Sequence, residues 1–242
     1  MFTCWMLGLL GGAVWPSAAS AAPDLSGHQL DVALVTDVPI LVGGAVTWES
    51  PRRYRGRFTG GVMPGAYVDA TNAAMVGFDI YSETVADIID SALERTVVLH
   101  LQGGWRPVQA RPMTVWVGYQ FWGLGGSTTD LGVFADVMDD ALYEAAQDVT
   151  GDVDIAIRDH MLTAGIGREW VFDDRVVVGT SVGFSYSLAA PSRASATRAA
   201  DNEVEQRIMD GVTGTAEDYL TYVFEEWVHL PTVGLSVGYR FR

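Results

Sequence analysis

The chain contains no lysine, and all of its 15 basic residues other than histidine are arginine. Asp and Glu number 30, so the formal net charge is −15 and the pI is about 4.4. Phosphate contacts dominate nucleic-acid affinity, so this balance excludes nucleic acid as an expected partner. Cysteine is nearly absent too. Cys4 is the single one, and it lies inside an apolar N-terminal stretch. A chain that loses that stretch has no disulfide framework, no thiol nucleophile and no thiolate metal site. Cys4 lies near the start of the apolar core, where a lipid-accepting cysteine would follow it. Long apolar runs are also missing after the N-terminus, and no later stretch approaches the ~20 residues of a transmembrane helix.

What is present is alternation. Val233, Leu235, Val237, Tyr239 and Phe241 alternate with Gly234, Ser236, Gly238, Arg240 and Arg242. Successive strand side chains point to opposite faces, so one face is wholly apolar and the other small, polar or basic. Such a strand suits a position between lipid and a polar lumen. The pattern recurs in Tyr54–Met63, Thr96–Trp105, Thr114–Leu124, Met161–Trp170 and Arg175–Leu188. Each approaches the 9–11 residues with which a tilted strand crosses a bilayer. Leu30–Val35 and Ile40–Glu49 also alternate, interrupted by Asp37-Val38-Pro39. Pro39 cannot donate to a ladder and marks a tight turn, which makes eight strands. One bent strand over Leu30–Glu49 makes seven; even counts in single-chain bacterial barrels favour eight.

Short connections lie near Ser50–Arg53, Arg106–Pro112 and Phe172–Asp174, and long ones at Pro64–Arg95, Gly125–Asp154 and Ala189–Leu230. Each long one carries helical spacing. Ser82 caps Val85, Ile88, Ile89, Ala92 and Leu93, while Leu131, Phe134, Met138, Leu142 and Ala145 share one face. Asn202 with Glu205 and Thr215 with Asp218 form two capping-box patterns, predicting two helices in the third loop. Acids gather in the long loops and arginines near the short turns, so the two ends of the molecule differ in charge. Residues 1–21 read as a secretory signal, Phe2–Trp15 being its core and Ala19-Ser20-Ala21 its cleavage pattern. Residues 22–242 are then one outer-membrane β-barrel domain.

On the signal-like Phe2–Ala21 and the terminal Val233–Phe241, the chain resembles small bacterial outer-membrane β-barrel proteins of the eight-stranded class. The resemblance implies a closed antiparallel barrel, all-β, in the Gram-negative outer membrane; the three long helix-containing loops, extracellular on this topology, are longer than small members of that class usually carry. It also implies reading of the aromatic-ended last strand by the barrel-assembly machinery; here Arg242 follows Phe241. Expected partners are outer-membrane lipids, lipopolysaccharide and an unknown extracellular ligand, with the chain monomeric.

The candidates for chemistry each have a plainer alternative. His28, His100, His160 and His229 show no metal-ligand spacing. His100 beside Gln102 reads as a hydrogen-bonded interior residue, the alternative being the general base of a lipid hydrolase with Ser181, Ser185 or Ser236. Gly-x-Ser-x-Gly occurs around Ser181 and Ser236, but inside strand patterns where no nucleophile elbow forms. Arg55, Arg57, Arg240, Glu49 and Glu169 are expected inside a barrel too narrow for an open pore, as a salt-bridged plug. Asp148, Asp152 and Asp154 read as a solvated acidic face, without the spacing of a calcium loop. Phe134, Tyr143, Tyr219, Tyr222, Phe224 and Trp227 either meet a partner or pack loop helices on the rim. No catalytic residue, cofactor or metal is assigned. The expected role is non-enzymatic, structural or surface-interacting, carried by the loops; a small pore and a lipid-modifying enzyme are the alternatives.

Overall fold

A computed structural model describes residues 27–77, 95–107, 112–128, 153–197 and 202–241, with positions 86 and 144. The signal-like segment 1–21, the helical patterns after Ser82 and over Leu131–Ala145, and Asp148 and Asp152 lie outside these residues.

The elements run β1 (Gln29–Val38), β2 (Leu41–Glu49), β3 (Tyr54–Val62), α1 (Gly65–Gly77), β4 (Arg95–Trp105), β5 (Met113–Thr128), β6 (Val153–Phe172), β7 (Val176–Ala189), β8 (Ser192–Ala196), α2 (Glu203–Trp227) and β9 (His229–Phe241). Every strand pairing is antiparallel. β5 pairs with β6, so the sheet closes into a barrel of eight strands, β1 to β7 and β9. The tight turn at Pro39-Ile40 separates β1 from β2, with Ile40 N–H donating to the Asp37 carbonyl at 2.6 Å. This decides for eight strands over seven. Closure leaves no unpaired ladder in the wall, the condition for strands that face lipid.

β8 is an addition to that count. It pairs with the first five residues of β6, Ser192 opposite Ile157 and Ala196 opposite Val153. It runs on from β7 after a break at Ala190-Pro191, and the Pro191 carbonyl still accepts from Arg158 N–H at 3.1 Å. β6 reaches 20 residues, twice the predicted Met161–Trp170, because β5 and β8 together pair its first quarter.

The tight turn and the three long connections share one end, here called upper. The three short turns and the outer ends of β1 and β9 share the other. Asp173 and Asp174 both take positive φ (49° and 57°), the twist-matched geometry of a two-residue hairpin. Arg175 N–H closes that turn on the Phe172 carbonyl at 3.0 Å.

The outer face is apolar. Leu34 (78% exposed), Val117 (61%) and Leu101 (59%) typify it. Trp48, Tyr54, Trp105, Tyr239 and Phe241 gather at its lower edge, the aromatic girdle of a membrane barrel.

Two helices are described. α1 is tied to the wall by Tyr67, whose hydroxyl shares a 2.6 Å hydrogen bond with Thr36 Oγ1. In α2, Asn202 caps the start, its side-chain oxygen accepting from Val204 N–H (3.0 Å) and Glu205 N–H (2.9 Å). The second predicted helix start is corrected: Thr215 and Asp218 lie within this single 25-residue helix. Thr213 Oγ1 donates back to the Met209 carbonyl at 2.9 Å, so its hydroxyl is satisfied without breaking the helix.

Candidate functional site

The lumen holds two layers. The lower one is ionic. Arg106 reaches in from the turn after β4 and donates to Glu49 Oε2 (2.8 Å) and Glu169 Oε2 (2.6 Å). Glu169 also pairs with Arg55 through its other oxygen. Arg240 forms a two-pronged bond with Asp31, Nε to Oδ1 at 2.7 Å and Nη2 to Oδ2 at 2.9 Å. Three guanidinium groups thus meet three carboxylates, all but out of reach of solvent. A planar fork on a carboxylate is the strongest such geometry and suits a buried site.

Glu49, Arg55, Glu169 and Arg240 were expected there. Asp31 and Arg106 were not. Asp31 follows from its place opposite Arg240 in the β1–β9 register. Arg106 reads in sequence as one more exposed turn arginine beside Pro107, yet it is 3% exposed.

Above this cluster lies a cavity of about 50 Å³, lined among others by Asp37, Arg57, His100, Gln102, Ser181 and Ser236. Arg57 and Asp37 are its two charged groups outside the ionic cluster and its rim, and they make no ion pair among the described residues. His100 Nε2 shares a 2.8 Å hydrogen bond with Thr163 Oγ1, and its Nδ1 stands 3.5 Å from Gln102 Nε2. These contacts tie His100 to a threonine and an amide, not to a serine. Ser185 Oγ donates instead to Gln120 Oε1 at 3.2 Å. Ser181 and Ser236 stand within β7 and β9, where the chain makes no strand-to-helix elbow.

Trp116 forms part of the cavity wall and lies edge-on to His100, ring centroids 5.7 Å apart. Its indole covers Gly165 on the neighbouring β6 and Gly183 on β7 beyond it; a Cβ on Gly183 would stand 2.8 Å from Trp116 Cη2. The missing side chains make room for the ring. Gly183→Val is therefore expected to cost about 1–3 kcal/mol through overpacking, read from urea unfolding in lipid vesicles followed by tryptophan fluorescence. An unchanged midpoint would show that Trp116 swings away freely.

The upper layer is apolar, which alternation alone did not announce. Val35, Leu41, Val98, Trp122, Leu124, Ile157 and Met161 are buried in it. Trp122 and Leu124 fall on the inward, even-numbered side of β5, the one sequence signal for this layer. Val212, Ala216, Leu220 and Phe224 form one stripe of α2 and pack on the same cluster. Phe224 is 2% exposed, so it belongs to the roof, while Tyr222 (56%) faces outward. Two acids of α2 hold the strand beside it: Glu217 accepts from Ala194 N–H at 2.8 Å and Glu225 from Ala190 N–H at 3.2 Å.

His160 lies on the outer face and is hydrogen-bonded through Nδ1 to the Tyr119 hydroxyl. His229 stacks on Tyr186, centroids 4.3 Å apart, and His28 on Trp48 at 5.6 Å. Asp154, expected in an acidic loop, is in β6 opposite Ser127 and Ser195. No group of three metal-ligating side chains occurs among the described residues.

No protein-family model matches the chain. No curated protein matches it either. Among solved structures, it is similar to a major outer membrane protein of Thermus thermophilus, at 13% identity and a TM-score of 0.46, covering 88% of this chain and 98% of that one. It is also similar to the N-terminal β-barrel domain of Pseudomonas aeruginosa OprF, at 9% identity and a TM-score of 0.38, covering 88% and 96%. Acinetobacter baumannii CarO matches at 12% identity and a TM-score of 0.38, covering 87% and 97%.

Proposed function

We propose that the chain is an integral outer-membrane barrel that acts through its outward loops, without catalysis and without an open channel. The membrane part of this reading rests on an apolar outer face girdled by aromatics around a closed sheet. The surface role rests on one observation: the lumen is filled at two levels, by the ionic cluster below and by the α2-roofed apolar layer above. A barrel stoppered in this way leaves its long loops as the parts free to meet the outside. Its partners on this reading are lipopolysaccharide, an extracellular ligand and, through β9, the barrel-assembly machinery.

The refolded protein is expected to run at a different gel mobility unboiled than boiled, and to stay silent in a planar bilayer. Cells whose barrel keeps its strands but has the long connections shortened should lose any surface phenotype of the intact protein. Stable conductance steps would favour a second reading, a small pore built on the polar cavity around Arg57.

A further inference from the structure

The outward side of the upper rim is basic in one sector. Arg95 on β4, Arg158 on β6 and Arg193 on β8 are all exposed. The register brings them together: Arg95 stands opposite Gly125, Gly125 opposite Ala156, and Ala156 opposite Arg193. Three strand spacings separate Arg95 from Arg193, about 14 Å. Arg158 follows Ala156 by two residues and so shares its face. None of the three forms an ion pair among the described residues. Exposed Asp154 lies beyond them on the loop side, and Glu217 and Glu225 of α2 are held on the backbone of the same segment, at Ala194 N–H and Ala190 N–H. Elsewhere around the rim, the corresponding strand ends carry Val38, Val42 and Val62.

Height decides what such a patch meets. Ten residues separate Arg95 from Trp105 of the lower girdle, and ten separate Arg158 from the outward Arg168. At about 3.3 Å per residue and a tilt of about 35–45°, ten residues climb about 23–27 Å. That equals the apolar band of a membrane barrel, about 25 Å tall. The guanidinium groups therefore stand where the outer leaflet's headgroups begin, directly above lipid-facing Val97 and Leu162.

We infer that Arg95, Arg158 and Arg193 form a binding site for the phosphate groups of a phosphorylated outer-leaflet lipid. This inference rests on the outer-membrane reading above. Guanidinium forks match phosphate oxygens, and Arg keeps its charge at a membrane surface. The acyl chains lie against the apolar wall below.

The probe is lipid A bearing two phosphates, mixed with the full chain refolded in detergent and followed by native mass spectrometry. The wild type is expected to retain the diphosphorylated lipid. R95Q/R158Q/R193Q is expected to bind it at least about tenfold more weakly. Arg168→Gln, at the lower edge, should bind like the wild type, and dephosphorylated lipid should not be retained. Equal retention by the triple variant, or equal retention of dephosphorylated lipid, overturns the site. Insertion into vesicles and the unboiled gel shift are scored in parallel. A wild type that inserts but holds no phosphorylated lipid overturns this site alone. A wild type that fails to insert overturns the membrane reading with it.

Discussion

Arg106→Ala is expected to destabilise the barrel by about 3–5 kcal/mol, the range for breaking one side of a buried ion pair. Arg106 is the cation that bonds Glu49, and its loss leaves that carboxylate buried without its partner. Glu169 suffers less, because Arg55 still holds its other oxygen. Arg106→Lys should restore part of the loss, since both bonds come from the one terminal nitrogen Nη2 and an ammonium also carries more than one donor. Urea unfolding in vesicles gives the measurement. A midpoint within error of the wild type would mean that water enters and solvates Glu49, and that the lower layer is no seal.

The second large effect is expected at the roof. Phe224→Ala should cost about 3–5 kcal/mol locally, because it empties a fully packed position under α2. The wall does not depend on that contact. Its strands pair with one another in a closed ring that takes no strand pairing from α2. The variant should therefore keep its heat-dependent gel shift while protease begins to cut within residues 203–227. It should also stay silent in a bilayer, because the ionic layer still fills the lower lumen. Combined with Arg106→Ala, it should conduct. Silence from the double variant would mean that the remaining side chains close the lumen unaided; loss of the gel shift from Phe224→Ala alone would mean that roof and wall fold as one unit.

The wall was legible in the sequence because a period of two over nine or more residues has one structural meaning. Pro39 and Asn202 were legible for the same kind of reason: each has a specific backbone consequence. The lumen was legible where a charge sat on the small-residue face, as with Arg55, Glu169 and Arg240. Arg106 escaped because its direction depends on the turn that carries it. The upper apolar layer escaped because alternation separates two faces without saying what covers the inner one. Among the described residues it is α2, distant in sequence from Val98 and Trp122, that makes that face a core. The unbroken length of α2 escaped because Thr215 and Asp218 carry start signals that tertiary packing overrides.

The bond between Asp31 and Arg240 spans 209 residues of chain, and it lies on the seam where β9 joins β1. β9 also supplies the partner that β7 lacks until then. Every shorter nascent chain consequently has two raw sheet edges and an apolar surface with no ring to display it. Adjacent hairpins can pair as they emerge, but the ring itself closes only once β9 is available to join β1 and β7.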